Sequence, residues 1–147
     1  MASTETPAPV QKLPVRLHSI SYAATDALLF EFRALDGTDL APAEPGAHID
    51  VHLPNGLIRP YSLVSSSPYV IAVKREAAGR GGSAWLHDHA RVGSLFEISA
   101  PRNAFPLDER AAATLLLAGG IGITPISAMY RRLTELGRQV ELHYWSR

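Results

Sequence analysis

The sequence predicts an antiparallel β-barrel or sandwich followed by a single β–α–β unit. Three observations carry this. Short β-rich runs broken by Gly, Pro, Asn and Asp recur from Val15 to Pro101. After Pro106 the character changes, and the compact apolar run at residues 114–118 suits a buried parallel strand. A glycine turn, Gly119-Gly120-Ile121-Gly122, then joins that run to a helical pattern.

The elements follow in order. Val15, Leu17 and Ser19 open a strand of imperfect alternation that ends near Tyr22. Residues 28–35 form the next, stopped by Asp36-Gly37, a turn signal. Residues 42–46 read as loop. Ala47, Ile49, Val51 and Leu53 alternate with His48, Asp50 and His52, the period-two signature of a half-buried strand. Pro54-Asn55-Gly56 turns tightly into residues 57–65. Residues 69–74 and 95–98 are further β-rich runs, with one short helix expected near residues 83–88. In the second part, Ile126, Met129, Tyr130 and Leu133 fall at i, i+3, i+4, i+7, which predicts a helix over residues 125–136 with Gly137 as its stop. Val140, Leu142 and Tyr144 supply the last strand. The boundary between the two parts falls within residues 102–110.

Composition narrows the function. Lys plus Arg and Asp plus Glu are 14 each, so no net field draws the chain to nucleic acid. Residues 1–12 read as a disordered leader with neither a basic region nor an apolar run, and the longest apolar stretch is too short to cross a bilayer. A cytoplasmic location is therefore expected, with no membrane partner. There is no cysteine, which excludes a Cys-ligated iron–sulfur cluster on these residues.

Two segments carry chemistry. In Arg59-Pro60-Tyr61-Ser62 the arginine fork suits a phosphate dianion, and Tyr61, two residues on, shares its strand face. Farther on, Ala72-Val73-Lys74 runs into a glycine-rich loop ending at Gly82-Ser83. Ser83 is placed to cap a helix there, and backbone N–H groups at a helix start bind phosphate. In the second part, Gly120-Ile121-Gly122-Ile123-Thr124-Pro125 lies between a strand and a helix. Its glycines let the backbone approach a pyrophosphate, and Pro125 fits the first helical turn.

These segments, with Pro101-Arg102-Asn103-Ala104-Phe105-Pro106-Leu107 between them, resemble in order and spacing the FMN-containing branch of the ferredoxin reductase superfamily, the phthalate dioxygenase reductase and vanillate O-demethylase reductase type. The resemblance implies a Greek-key flavin-binding barrel over residues 13–105 and the first β–α–β of an NAD-binding α/β domain over residues 110–147. It implies FMN, favoured over FAD, held by Arg59, Tyr61, Ser62, Ala72, Val73, Lys74, Gly82 and Ser83. Gly120, Gly122 and Thr124 would face the nicotinamide of NADH; Ser146 and Arg147 could also receive a 2′-phosphate, so NADPH stays open. No side chain is expected to be catalytic, since the redox chemistry belongs to the cofactors.

In that family a C-terminal [2Fe–2S] domain takes the electrons and hands them to a terminal oxygenase component. The resemblance covers only the first part of such a reductase, so the chain is expected to be a truncated piece, compact to about residue 105 and loosely packed after about 110. A non-catalytic flavin-binding module and a pseudo-reductase serving protein contacts are the alternatives. His48, His52, His87 and His89 present no third ligand at a recognisable spacing, so no metal site is expected and they are taken as exposed polar positions.

Overall fold

The computed structural model describes residues 10–146. Its elements are β1 (Lys12–Ala24), β2 (Ala27–Ala34), β3 (His48–His52), β4 (Ile58–Ser66), β5 (Tyr69–Lys74), α1 (Gly82–His89), β6 (Leu95–Ser99), β7 (Ala113–Gly119), a 3₁₀ turn (Gly120–Gly122), α2 (Ile123–Glu135) and β8 (Gln139–Trp145). Most of the leader expected over residues 1–12 lies outside the described residues. Lys12 opens β1, pairing with Ser99.

The first six strands close into an antiparallel barrel in the order β1-β2-β5-β4-β3-β6, which settles the choice between barrel and sandwich. The β2–β3 connection passes over β5 and β4, the Greek-key crossing. Its interior follows from alternation. Phe30 and Phe32, Ile49 and Val51, Ile71 and Val73, and Phe96 and Ile98 all point inward and are buried. Leu86 of α1 is fully buried with them, so the helix plugs the barrel. Tyr69 is the largest buried side chain, and its hydroxyl donates to the Ala41 carbonyl at 2.5 Å, which ties down the long β2–β3 loop.

The second unit is a parallel pair, β7 and β8, crossed by α2. Leu116 and Ala118 face the helix and pack with Ile126, Met129 and Leu133 in a small core of their own. Leu115 and Leu117 point the other way and are 59% and 56% exposed. A parallel strand covered on one face only is weakly held. Amide hydrogen exchange should therefore show weaker protection in β7 and β8 than in β2 and β5. Equal protection in a demonstrated monomer would contradict this. Among the described residues no helix is long and apolar enough to cross a membrane.

Candidate functional site

The barrel wall has a gap. The β4–β5 ladder holds only Ser66 to Tyr69, Ser65 to Val70 and Leu63 to Ile71. Beyond Leu63 the strands part, so the first half of β4 pairs only with β3, and the last residues of β5 pair only with β2. Two backbone edges are left without ladder partners there, and a buried backbone polar group needs one. This slot has Arg59, Tyr61 and Ser62 along one side and Ala72, Val73 and Lys74 along the other.

One end of the slot is closed by the start of α1. Gly81 is its N-cap at φ +84°, and a Cβ added to Gly82 would come within 2.5 Å of Arg59 Cγ. Glycine is therefore required at 82 for the arginine stem to lie across the helix start. The Arg59 guanidinium donates to the Ile58 carbonyl at 2.8 Å and the Arg80 carbonyl at 2.9 Å. That uses two of the five donors of an arginine and leaves the rest for an anion. No side chain caps α1, so its first-turn N–H groups are also open to an anion.

Ser83 does not act as the cap. It lies inside the helix, and its Oγ accepts the Glu76 N–H at 3.0 Å, pinning the glycine loop. Its own hydroxyl proton can still be donated outward. Arg75 and Asp88 form a two-pronged ion pair, and the hydrogen bond from Arg75 holds the Asp88 carboxyl below its usual range. His87 is half-buried rather than exposed; its Nε2–H donates to the Val73 carbonyl at 2.8 Å, and its ring meets Phe30 edge-on. These ties hold α1 against β5. His48 and His52 are likewise half-buried rather than exposed.

Tyr61 lies opposite Ile49 and shares a strand face with Arg59, which lies opposite Val51. It is half-buried against the core, and that burial raises its phenol pKa against the opposing influence of Arg59. Val73 is the exception among the expected ligand contacts. At 1% exposure its side chain belongs to the barrel core, so only backbone could serve a ligand.

The β5 side of the slot also borders a cleft of about 650 Å³ between barrel and second unit. Ala72, Lys74 and Val64 form one wall, and Gly120, Ile121, Thr124 and Trp145 part of the other. Ala72 and Lys74 thus meet Gly120 and Thr124 across it. Gly122 does not line the cleft. The helix begins at Ile123, two residues before Pro125, with Gly122 as its cap residue. Gly120 needs its glycine at φ +53°, whereas Gly122 has an ordinary φ of −61°. A Cβ at either would meet nothing within 4 Å, so the loop faces open space.

Sequence reasoning missed part of the barrel wall. Ala23, Ala24 and Thr25 at the β1–β2 turn, with Ala27 and Leu29, also line the cleft. Alanines announce nothing by themselves; the available signal was apolar side chains at outward-facing positions of β2. Ser146 lines the cleft, while Arg147 lies outside the described residues.

Known proteins are similar to this chain in sequence and fold. The chain is 50% identical to the phenoxybenzoate dioxygenase subunit beta of Ectopseudomonas oleovorans over 100% of its own length and 46% of that protein. It is 47% identical to the vanillate O-demethylase oxidoreductase of a Pseudomonas species, over 92% of its length and 44% of that protein. The solved structure of phthalate dioxygenase reductase, described as a modular structure for electron transfer from pyridine nucleotides to [2Fe–2S], superposes with a TM-score of 0.88 at 44% identity, covering 92% of this chain and 44% of that one. This chain is homologous to the N-terminal part of the phthalate dioxygenase reductase type. It spans less than half the length of these relatives. No protein-family model matches the chain.

Proposed function

We propose that this chain carries the flavin site and part of the nicotinamide site of an oxygenase reductase component, with FMN in the slot and NADH in the adjoining cleft. The observation that supports this is the wall the two spaces share. Ala72 and Lys74 border the gap between β4 and β5, whose far corner holds Arg59 against Gly82, and they also line the cleft that Gly120 and Thr124 line. A bound flavin supplies the means to take hydride from a reduced nicotinamide and release electrons singly. The chain's own residues bind and orient. Arg59, the α1 start and Ser83 address a phosphate; Tyr61 and Ser62 border the ring system; Ala72 and Lys74 form the wall that the nicotinamide would face.

FMN rather than FAD is proposed by resemblance to the family, and one arginine with one helix start is compatible with its terminal phosphate. NADH is proposed over NADPH by resemblance to the family. Without cysteine, these residues can hold no Cys-ligated cluster, so an iron–sulfur acceptor and a terminal oxygenase belong to other residues and other chains.

Arg59→Ala tests the reading. Loss of charge-assisted bonds worth about 1.5–3 kcal/mol should weaken FMN binding at least about tenfold in a fluorescence titration. Unchanged affinity would remove Arg59 from the phosphate site. Bleaching of bound yellow flavin by NADH would separate a working reductase from a flavin-binding module without catalysis.

A further inference from the structure

The segment Pro101-Arg102-Asn103-Ala104-Phe105-Pro106-Leu107 has no task in this reading, yet it is no slack linker. Arg102 exchanges backbone hydrogen bonds with His48 at 2.8 and 3.0 Å, extending the β3 edge, and its side chain pairs with Asp50. Next to it, the half-buried Asn103 amide makes two bonds at once. Its Nδ2–H donates to the Pro45 carbonyl at 3.1 Å, and its Oδ1 accepts the Phe105 N–H at 3.0 Å. A carbonyl on one side and an N–H on the other leave no ambiguity about which way the amide points.

Between those partners lies Gly46, at φ +95°. A Cβ there would overlap the Phe105 carbonyl oxygen and come within 2.8 Å of the Met129 methyl. Barrel turn, connecting segment and α2 therefore touch at one point. Met129 is five residues from Thr124 along the same helix, about 7.5 Å of rise. A tilt allowed at the junction is carried directly to the residue that faces Ala72 and Lys74. Two other ties of α2 lie nearby. One is the Arg131 guanidinium on the Val64 carbonyl, an exposed contact; the other is a two-pronged Arg132–Glu109 pair, which holds α2 to the start of its own unit and not to the barrel. Exposed polar ties contribute little, whereas a half-buried amide satisfied on both sides is costly to disrupt.

We propose that Asn103 is a positioning residue. By tying Pro45 to Phe105 it sets how far α2 and the glycine loop stand from the slot, and so the gap between nicotinamide and flavin. The inference rests on the proposed function for what fills that gap, but the junction can be tested without it.

The chain has no cysteine, so Val92→Cys on the barrel and Arg138→Cys after α2, both exposed, can be spin-labelled specifically. Pulsed EPR should give one narrow distance distribution. Asn103→Ala and Asn103→Asp should each broaden it at least about twofold, at unchanged FMN affinity. Asp is the informative variant. It supports a local turn as well as Asn does, but it cannot donate to Pro45. With FMN bound, reduction by NADH should slow at least about tenfold at nearly unchanged KM, since misplacement by about 1 Å can cost about 100-fold. A distribution that stays narrow in both variants, or Asp behaving as wild type, overturns the proposal. If Asn103→Ala does not fold, Asn103→Asp decides. A wild-type chain that binds no flavin would sink the functional reading instead, and the distance distributions would still judge Asn103.

Discussion

Gly46→Ala should lower the stability of the chain by about 2–5 kcal/mol, enough to threaten a typical fold held by about 5–15 kcal/mol. Two costs add. An L-residue held in the left-handed region costs about 1–2 kcal/mol, and overpacking against neighbours that cannot yield costs about 1–3 kcal/mol more. The obstruction is a backbone carbonyl, that of Phe105, which cannot swing aside as the Met129 methyl can. Gly56 is the control. It has φ +87° with nothing within 4 Å of its added Cβ, so Gly56→Ala should show the backbone cost alone. Urea melts of the two variants separate the terms. If Gly46→Ala is no worse than Gly56→Ala, the three-way contact of turn, connecting segment and α2 is looser than described.

Gly122→Val should nearly abolish flavin reduction by NADH, by about 100-fold or more, while FMN affinity and fold persist. The size follows from the sensitivity of a reaction to misplacement by about 1 Å. The fold is spared because Gly122 has φ −61° and open space around its added Cβ. Gly122 itself does not line the cleft but stands between Ile121 and Ile123, which do, so the expected loss comes from bulk added beside the nucleotide's path. Gly120→Val is the contrasting case, since φ +53° makes any side chain there strain the loop itself. Stopped-flow flavin reduction read beside a thermal melt distinguishes them. Reduction at the wild-type rate in Gly122→Val would mean that the nucleotide does not pass over this loop.

The legible parts of this chain are those governed by neighbours in sequence. Alternation from Ala47 to Leu53 marked β3, and the inward residues Ile49 and Val51 are in the core. The turns at Asp36-Gly37 and Asn55-Gly56 announced themselves because Asp36 and Asn55 accept the backbone N–H two residues on, and each glycine takes a positive φ. The i, i+3, i+4, i+7 spacing gave α2 its buried Ile126, Met129 and Leu133, while Tyr130 stays exposed. Arginine for phosphate and glycine for close approach were also read from local chemistry, while the full set of candidate ligand residues came from the family resemblance.

What local patterns could not supply was who meets whom. Val73 looked equivalent to Ala72 and Lys74, but strand parity sends its side chain into the core. Ser83 had the chemistry of a cap, yet Gly81 takes that place because Arg59 lies over Gly82, and the serine turns to Glu76 instead. His87 read as an exposed polar position, but α1 folds against β5 and gives its ring the Val73 carbonyl. Sequence by itself determined the elements, their turns and the residue types capable of holding a phosphate, because these depend on backbone preferences over a few positions. Only the tertiary structure decided that β4 and β5 part below Leu63, and that Ala72 and Lys74 on the β5 side share a cleft with the glycine loop. Those facts come from barrel closure and from the docking of α2 at Gly46, contacts between residues far apart in the chain that no local period encodes.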